Sequence, residues 1–214
     1  MLKIWGRKTS SNVQKVMWAV GELGLAHERV DVGGAFGKLD TPEYGRMNPN
    51  RLVPVLQDGA LTMYESNAIV RYLASTHGRG SLAPIDPTMH AKADQWMDWA
   101  ATTFAPVMSG GIFLPLVRTA AKDRNMAAVE AAAKKAGDLT AILDAELANS
   151  QFLIGPSLTI ADIAVGTFLY RYYTLPVERP SRPNVEGWYK RLTGRKAYQE
   201  HAMIDWKQML VPGA

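Results

Sequence analysis

The chain has 214 residues, is 47% hydrophobic and 21% charged, and carries a formal net charge of +4, an ordinary globular composition with room for one large domain or two small ones. It contains no cysteine, which excludes disulfides, a cysteine nucleophile and thiolate metal sites, so any thiol chemistry must use a thiol that arrives on a ligand. Residues 1–80 hold ten Lys and Arg against seven Asp and Glu; this mild surplus, without a basic run, argues against nucleic acid and suits either a small anionic ligand or a generally basic surface.

Elements follow in chain order. Leu2–Trp5 reads as a short strand closed by Gly6. Ser10-Ser11-Asn12 offers helix N-cap chemistry, and Val13, Val16, Met17, Val20 and Leu23 continue at helical spacing to a stop at Gly24. His27–Val32 reads as a second strand and Thr41-Pro42-Glu43 as a helix start with proline at its first position. Val53–Leu56 and Leu61–Met63 flank Gln57-Asp58-Gly59-Ala60, a hairpin signal, and a helix follows from Ser66 to Ser75. The order is β-α-β-α-β-β-α.

His77 to Pro87 reads as a linker rich in glycine and proline. Beyond it the pattern is helical throughout: a long helix over 88–118 interrupted near Pro106 and Gly110-Gly111, an Ala-rich helix over 125–149, a helix opened by Thr159 and ended by Pro176 and Pro180, and short helices over 185–192 and 196–202. Thr159 and Asp162 have capping-box spacing, and Leu158 can staple against Ile163. The expected architecture is α/β plus all-α, with a domain at 1–78, a linker at 79–87 and an all-helical domain at 88–214. No apolar run of membrane-spanning length stands out, and Met1–Trp5 is broken by Gly6 too soon for a signal peptide. The expected location is cytoplasmic, with neither a membrane nor nucleic acid as partner.

Two local features raise chemistry. Pro54 stands inside an apparent strand, where it lacks a ladder N–H. It is either a trans proline at a strand start or a cis proline that turns the Val53 backbone outward, where its N–H and C=O can pair with an extended peptide. Glu65-Ser66 lies at a helix start, which is either simple capping or a site for a carboxylate and an ammonium group.

Four stretches, Ser10–Val16, Asn48–Leu56, Leu61–Ala74 and Leu158–Ala164, lie in an order and with a content that resemble the soluble glutathione S-transferases over nearly the whole chain. The resemblance implies a thioredoxin-like βαβαββα domain followed by a helical one, and a cytoplasmic homodimer that acts in detoxification. It implies a cis Val53-Pro54 bond pairing with the cysteinyl backbone of glutathione, and Glu65 with Ser66 holding the γ-glutamyl end. Glutathione is the implied co-substrate, with no metal. Family members often carry Gly-Lys before the Val-Pro pair, whereas Arg51-Leu52 stands here, so a lysine contact does not transfer to Leu52. Arg51 is the substitute candidate, and Lys38 lies in the loop where many members contact the glycyl carboxylate.

The implied reaction is attack by glutathione thiolate on a hydrophobic electrophile. A hydroxyl or amide at a helix start stabilises a thiolate by a hydrogen bond and by the helix dipole. Ser10 resembles the catalytic serine of theta- and phi-like members, and Asn12 resembles the asparagine that some bacterial members use. Phe104, Met108, Ile112, Phe113 and Trp206 are the expected lining of the hydrophobic pocket. Trp96 and Trp99 share one face of the long helix, which fits packing or a subunit interface. Two alternatives stay open on the same fold: a non-catalytic protein-binding module, and a glutathione-dependent isomerase or lyase.

Overall fold

A computed structural model describes all 214 residues. Its first part is a four-stranded mixed sheet of β1 (Leu2–Trp5), β2 (His27–Val30), β3 (Val55–Asp58) and β4 (Leu61–Tyr64), in the order β2-β1-β3-β4. β1 runs parallel to β2, with Ile4 opposite Arg29, and antiparallel to β3, with Ile4 opposite Leu56. Three helices complete this part: α1 (Ser11–Glu22), α2 (Pro42–Met47) and α3 (Ser66–His77). α2 starts as its sequence demands, with Thr41 Oγ1 accepting from Tyr44 N–H at 3.2 Å and Pro42 just inside the helix.

The second part is helical. α4 runs without a break over Pro87–Arg118, then come α5 (Met126–Glu146), α6 (Ile160–Gly166), α7 (Leu169–Thr174), α8 (Pro183–Thr193) and α9 (Lys196–His201). The expected interruption near Pro106 and Gly110-Gly111 is absent. The chain instead passes through wide π-type turns over Ala100–Phe104 and Pro106–Phe113, a looser register that absorbs the proline's missing donor. α4 is also long and apolar enough to cross a membrane, by length and composition; the apolar side chains of Met97, Phe104, Met108 and Ile112 are buried against the other helices instead.

At α6, the Thr159–Asp162 capping box forms as expected. Asp162 is fully buried and accepts from Leu153 N–H, Thr159 N–H, Thr159 Oγ1 and Trp188 Nε1 at 2.8–3.1 Å. The carboxylate thus ties the 153 loop, the helix start and α8 into one unit.

One continuous apolar core runs from Leu2 to Ala202, across both parts. Trp18 of α1 is fully buried, meets Tyr198 edge-to-face at 4.7 Å and lies against Gly166, where an added Cβ would come within 3.1 Å of the indole. Glu22 at the end of α1 takes a bidentate pair from Arg195 at 2.8 and 2.5 Å. Asn67 Nδ2 donates to the Met97 carbonyl at 2.8 Å. These contacts fix the cleft between α1, α3 and α4.

Candidate functional site

The site begins at Gly6. Its φ of +155° and the 2.4 Å separation of an added Cβ from Val13 Cγ2 exclude any side chain there. This close approach brings the end of β1 against α1 and next to Val53, and the turn Arg7–Ser10 leads directly into the helix. Ser10 is the N-cap of α1, with extended backbone (φ −80°, ψ 124°), yet its hydroxyl makes no capping bond and no other hydrogen bond. It stands at the positive end of the helix as an unspent donor.

Val53-Pro54 is cis, and the strand starts only at Val55. Val53 N–H and C=O have no partner within the chain. The preceding carbonyl, that of Leu52, accepts from both Tyr44 Oη and Asn48 Nδ2 at 2.8 Å, so the outward face of the Val53 peptide is held in place from behind. Burial pushes the Tyr44 phenol up to about 12, which keeps it a donor across the neutral range.

α3 starts at the opposite wall. Glu65, its N-cap, is exposed and held at φ +72°, a backbone conformation rare for a non-glycine residue and concentrated at functional sites. Ser66 is buried, and its hydroxyl lies 3.3 Å from Asn12 Oδ1. The N-termini of α1 and α3 therefore meet, and neither first turn holds an acidic residue. Below them Lys15 is buried, with Nζ donating to Asn67 Oδ1 at 3.0 Å. Burial brings the Lys15 ammonium down to about 8, opposed by the charge of Glu65. Unpaired N–H groups and a buried cation beside an exposed carboxylate can hold a zwitterionic head group.

A cleft of about 370 Å³ opens here, lined on one side by Ser11, Asn12, Lys15, Glu65, Ser66 and Asn67 and on the other by Ala101, Ala105, Pro106, Ser109 and Phe168. Of the expected residues it gathers Asn12, Glu65 and Ser66; Ser10 adjoins it through Ser11, and Val53 and Pro54 are not part of its lining. Lys38 and Arg51 stand on exposed loops, both with positive φ. The Arg51 guanidinium is spent on the carbonyls of Leu39 and Thr41 at 2.8 and 3.2 Å, so it holds that loop.

None of the apolar residues expected from α4 borders this cleft. Phe104, Met108 and Ile112 are packed into the core, because their four-residue spacing marks the face toward α5 rather than the cleft. Phe113 is buried beneath the Arg171 guanidinium, 4.0 Å from its ring centroid. Trp206 is half-exposed and donates to Thr174 Oγ1 at 3.0 Å. Trp96 and Trp99 pack against one another at 5.2 Å. Lys15, Asn67 and Arg171 escaped the sequence reading. Lys15 alone carried a signal: a charge amid Val13, Val16 and Met17 on the buried face of α1.

Comparison with known proteins agrees with this arrangement. The family model for the glutathione S-transferase N-terminal domain matches residues 9–76, and that for the C-terminal domain matches 104–196. The chain is 40% identical over 206 residues to glutathione S-transferase GstB of Escherichia coli (strain K12), covering 95% of this chain and 99% of that one. It is 31% identical over 205 residues to glutathione S-transferase 3 of Zea mays, covering 93% and 92%. Among solved structures it superposes on the theta class glutathione S-transferase of Xanthomonas axonopodis pv. citri, solved with glutathione bound, with a TM-score of 0.91, 45% identity and coverage of 96% and 98%.

Proposed function

The chain belongs to the glutathione S-transferase family, and on that footing we propose that it activates glutathione as a thiolate through Ser10 for attack on an electrophile held in the cleft between its two parts. The observation that carries this is the Ser10 hydroxyl, unpartnered at the N-cap of α1, together with Val53 N–H and C=O groups that are also free.

A cysteine-type thiol has a pKa near 8.5, and lowering it by two units corresponds to about 2.7 kcal/mol. One hydrogen bond to a charged group contributes about 1.5–3 kcal/mol, and the helix dipole adds to it. Ser10 and the start of α1 are thus of sufficient strength together. Asn12 faces the other way, accepting from Ser66, which supports a place for it at the γ-glutamyl end with Glu65 and Ser66. The cysteinyl backbone pairs with Val53. Lys38 is the remaining candidate for the glycyl carboxylate, while Arg51 acts on it only through the 39–41 loop. The thiol proton leaves to water, and the sulfur–carbon bond forms as the leaving group departs with its electron pair. Ala101, Ala105, Pro106 and Phe168 supply an apolar wall for the electrophile. A cytoplasmic homodimer completes the reading, and sedimentation of the purified chain tests the dimer.

The test of the mechanism is calorimetric titration of glutathione into wild type and Ser10→Ala, with thiolate absorbance near 240 nm followed against pH. Binding in both, with the thiolate signal at neutral pH lost only in Ser10→Ala, is the expected result. A signal that survives Ser10→Ala removes Ser10 from the role. No binding to wild type removes glutathione altogether.

A further inference from the structure

Arg7 and Arg171 flank the turn that delivers Ser10, the charge of Arg118 reaches Arg7, and none of the three has an acidic partner. Arg7 lies on the turn before α1, where its carbonyl accepts from Ser10 N–H at 3.2 Å. Its side chain makes no hydrogen bond or ion pair, and it rests over Gly33-Gly34, where an added Cβ at either position would sit 3.0 Å from it. Arg171 of α7 is buried; Nη2 donates to the Thr9 carbonyl at 2.8 Å and the guanidinium lies face-on to Phe113. Arg118 ends α4, is exposed, and reaches the Met209 carbonyl at 3.4 Å. None of the chain's ion pairs includes any of the three.

The groups feel one another. Burial, and then the charge of Arg118, lower the pKa of Arg7. Burial, and then the charge of Arg7, bring Arg171 down to about 10. Repulsion between the buried Arg171 and the half-buried Arg7 costs stability, and a structural role would call for a nearby carboxylate. The chain has 20 Asp and Glu and pairs none of them here. Uncompensated positive charge attracts and orients an anion, and guanidinium groups are suited to planar oxyanions.

We propose that Arg7, Arg118 and Arg171 form a subsite for the carboxylate, or a comparable oxyanion, of the second substrate, so that the enzyme prefers electrophiles joining an apolar body to an anionic group. This inference rests on the glutathione-transferase reading. It fits the one tie the structure gives: Arg171 donates to the carbonyl of Thr9, the residue before Ser10, so an anion held there lies next to the turn that carries the Ser10 hydroxyl. The same oxyanion chemistry could come from the glycyl carboxylate of glutathione itself, and the test separates the two sources.

The experiment compares 4-chloro-3,5-dinitrobenzoate with its neutral amide, each corrected for its uncatalysed rate. In both reactions glutathione sulfur bonds to the ring carbon, chloride leaves with the electron pair, and the thiol proton passes to solvent. The expected kcat/KM ratio favours the benzoate by at least about tenfold at low ionic strength and shrinks as salt is added. Arg118→Gln, on an exposed side chain, and Arg7→Gln each lower that ratio by about fivefold or more, as loss of one charge-assisted hydrogen bond implies. A ratio near one in wild type overturns the proposal, as does turnover of neither compound while calorimetry shows glutathione bound. Variants that raise the glutathione KM equally with both compounds, at unchanged ratio, assign the cluster to glutathione and also overturn it. Absence of glutathione binding in wild type identifies the underlying transferase reading as the failure.

Discussion

Lys15→Met is the sharpest probe of the electrostatics under the cleft. The Lys15 ammonium is buried and has one hydrogen-bonding partner, Asn67 Oδ1. Burial moves its pKa from 10.5 to about 8, which at 1.36 kcal/mol per pH unit corresponds to ~3 kcal/mol of stability forgone while the group is charged. Between pH 8 and 10.5 the unfolded chain binds the proton and the folded one does not, so wild-type stability rises with pH across that window and the deficit is fully present below it. Methionine keeps the stem and removes the charge, but loses the Asn67 bond, worth about 1 kcal/mol. Lys15→Met is therefore expected to exceed wild type by about 2 kcal/mol at pH 7 and to fall level with it, or below, by pH 10. Urea unfolding of both proteins at intervals from pH 7 to pH 10 measures this. A difference between the two that stays constant with pH refutes the perturbed lysine. Because Glu65 is the charge that opposes the shift, the same variant should weaken glutathione binding if Lys15 balances the head-group site.

The remaining predictions concern the frame that holds the cleft. Asp162→Asn leaves one acceptor oxygen where four donors converge and should cost about 2–4 kcal/mol in urea unfolding; a loss below about 0.5 kcal/mol would deny the carboxylate its role at α6. Gly166→Ala places a methyl group 2.8 Å from Leu192 Cδ1 and 3.1 Å from the Trp18 ring, so a loss of about 1–3 kcal/mol with altered tryptophan fluorescence is expected, and unchanged emission and stability would count against that contact. Residues 1–78 alone should lack a cooperative thermal transition by circular dichroism, because Trp18 would lose Tyr198 and Glu22 would lose Arg195; a sharp, reversible transition would show that the first part holds itself together.

What was legible in the sequence was what is local. Thr159 and Asp162 are three residues apart and their bonds close within one helical turn, so their types and spacing were sufficient. The same holds for Thr41-Pro42 and for the Asp58-Gly59 hairpin. Pro54 stayed ambiguous because the Leu52 carbonyl before it is fixed by Tyr44 and Asn48, from another element. On α4, periodicity told which residues share a face but not what that face meets. Phe104, Met108 and Ile112 turned to the core, and the small residues Ala101, Ala105 and Ser109 were left to line the cleft. That division is physical: bulk apolar groups gain most from full burial, and only small side chains leave room for a ligand beside the start of α1.

The arginine cluster lies at the far end of that scale. Positions 7, 118 and 171 have no sequence relation, and each alone reads as a solvated basic residue. Arg171 joins Arg7 because it reaches from α7 to the Thr9 carbonyl, in the same turn that delivers Ser10. In the proposed mechanism the helical part therefore supplies charge to a centre whose hydroxyl and backbone groups all come from the sheet part. The proposed role of Ser10 requires that turn to be held, and Arg171 holds it with a group whose pKa the charge of Arg7 lowers. A merely structural tie would be served as well by a neutral donor such as glutamine. A guanidinium retained there, desolvated and facing its own kind, makes sense when an anion shares the site.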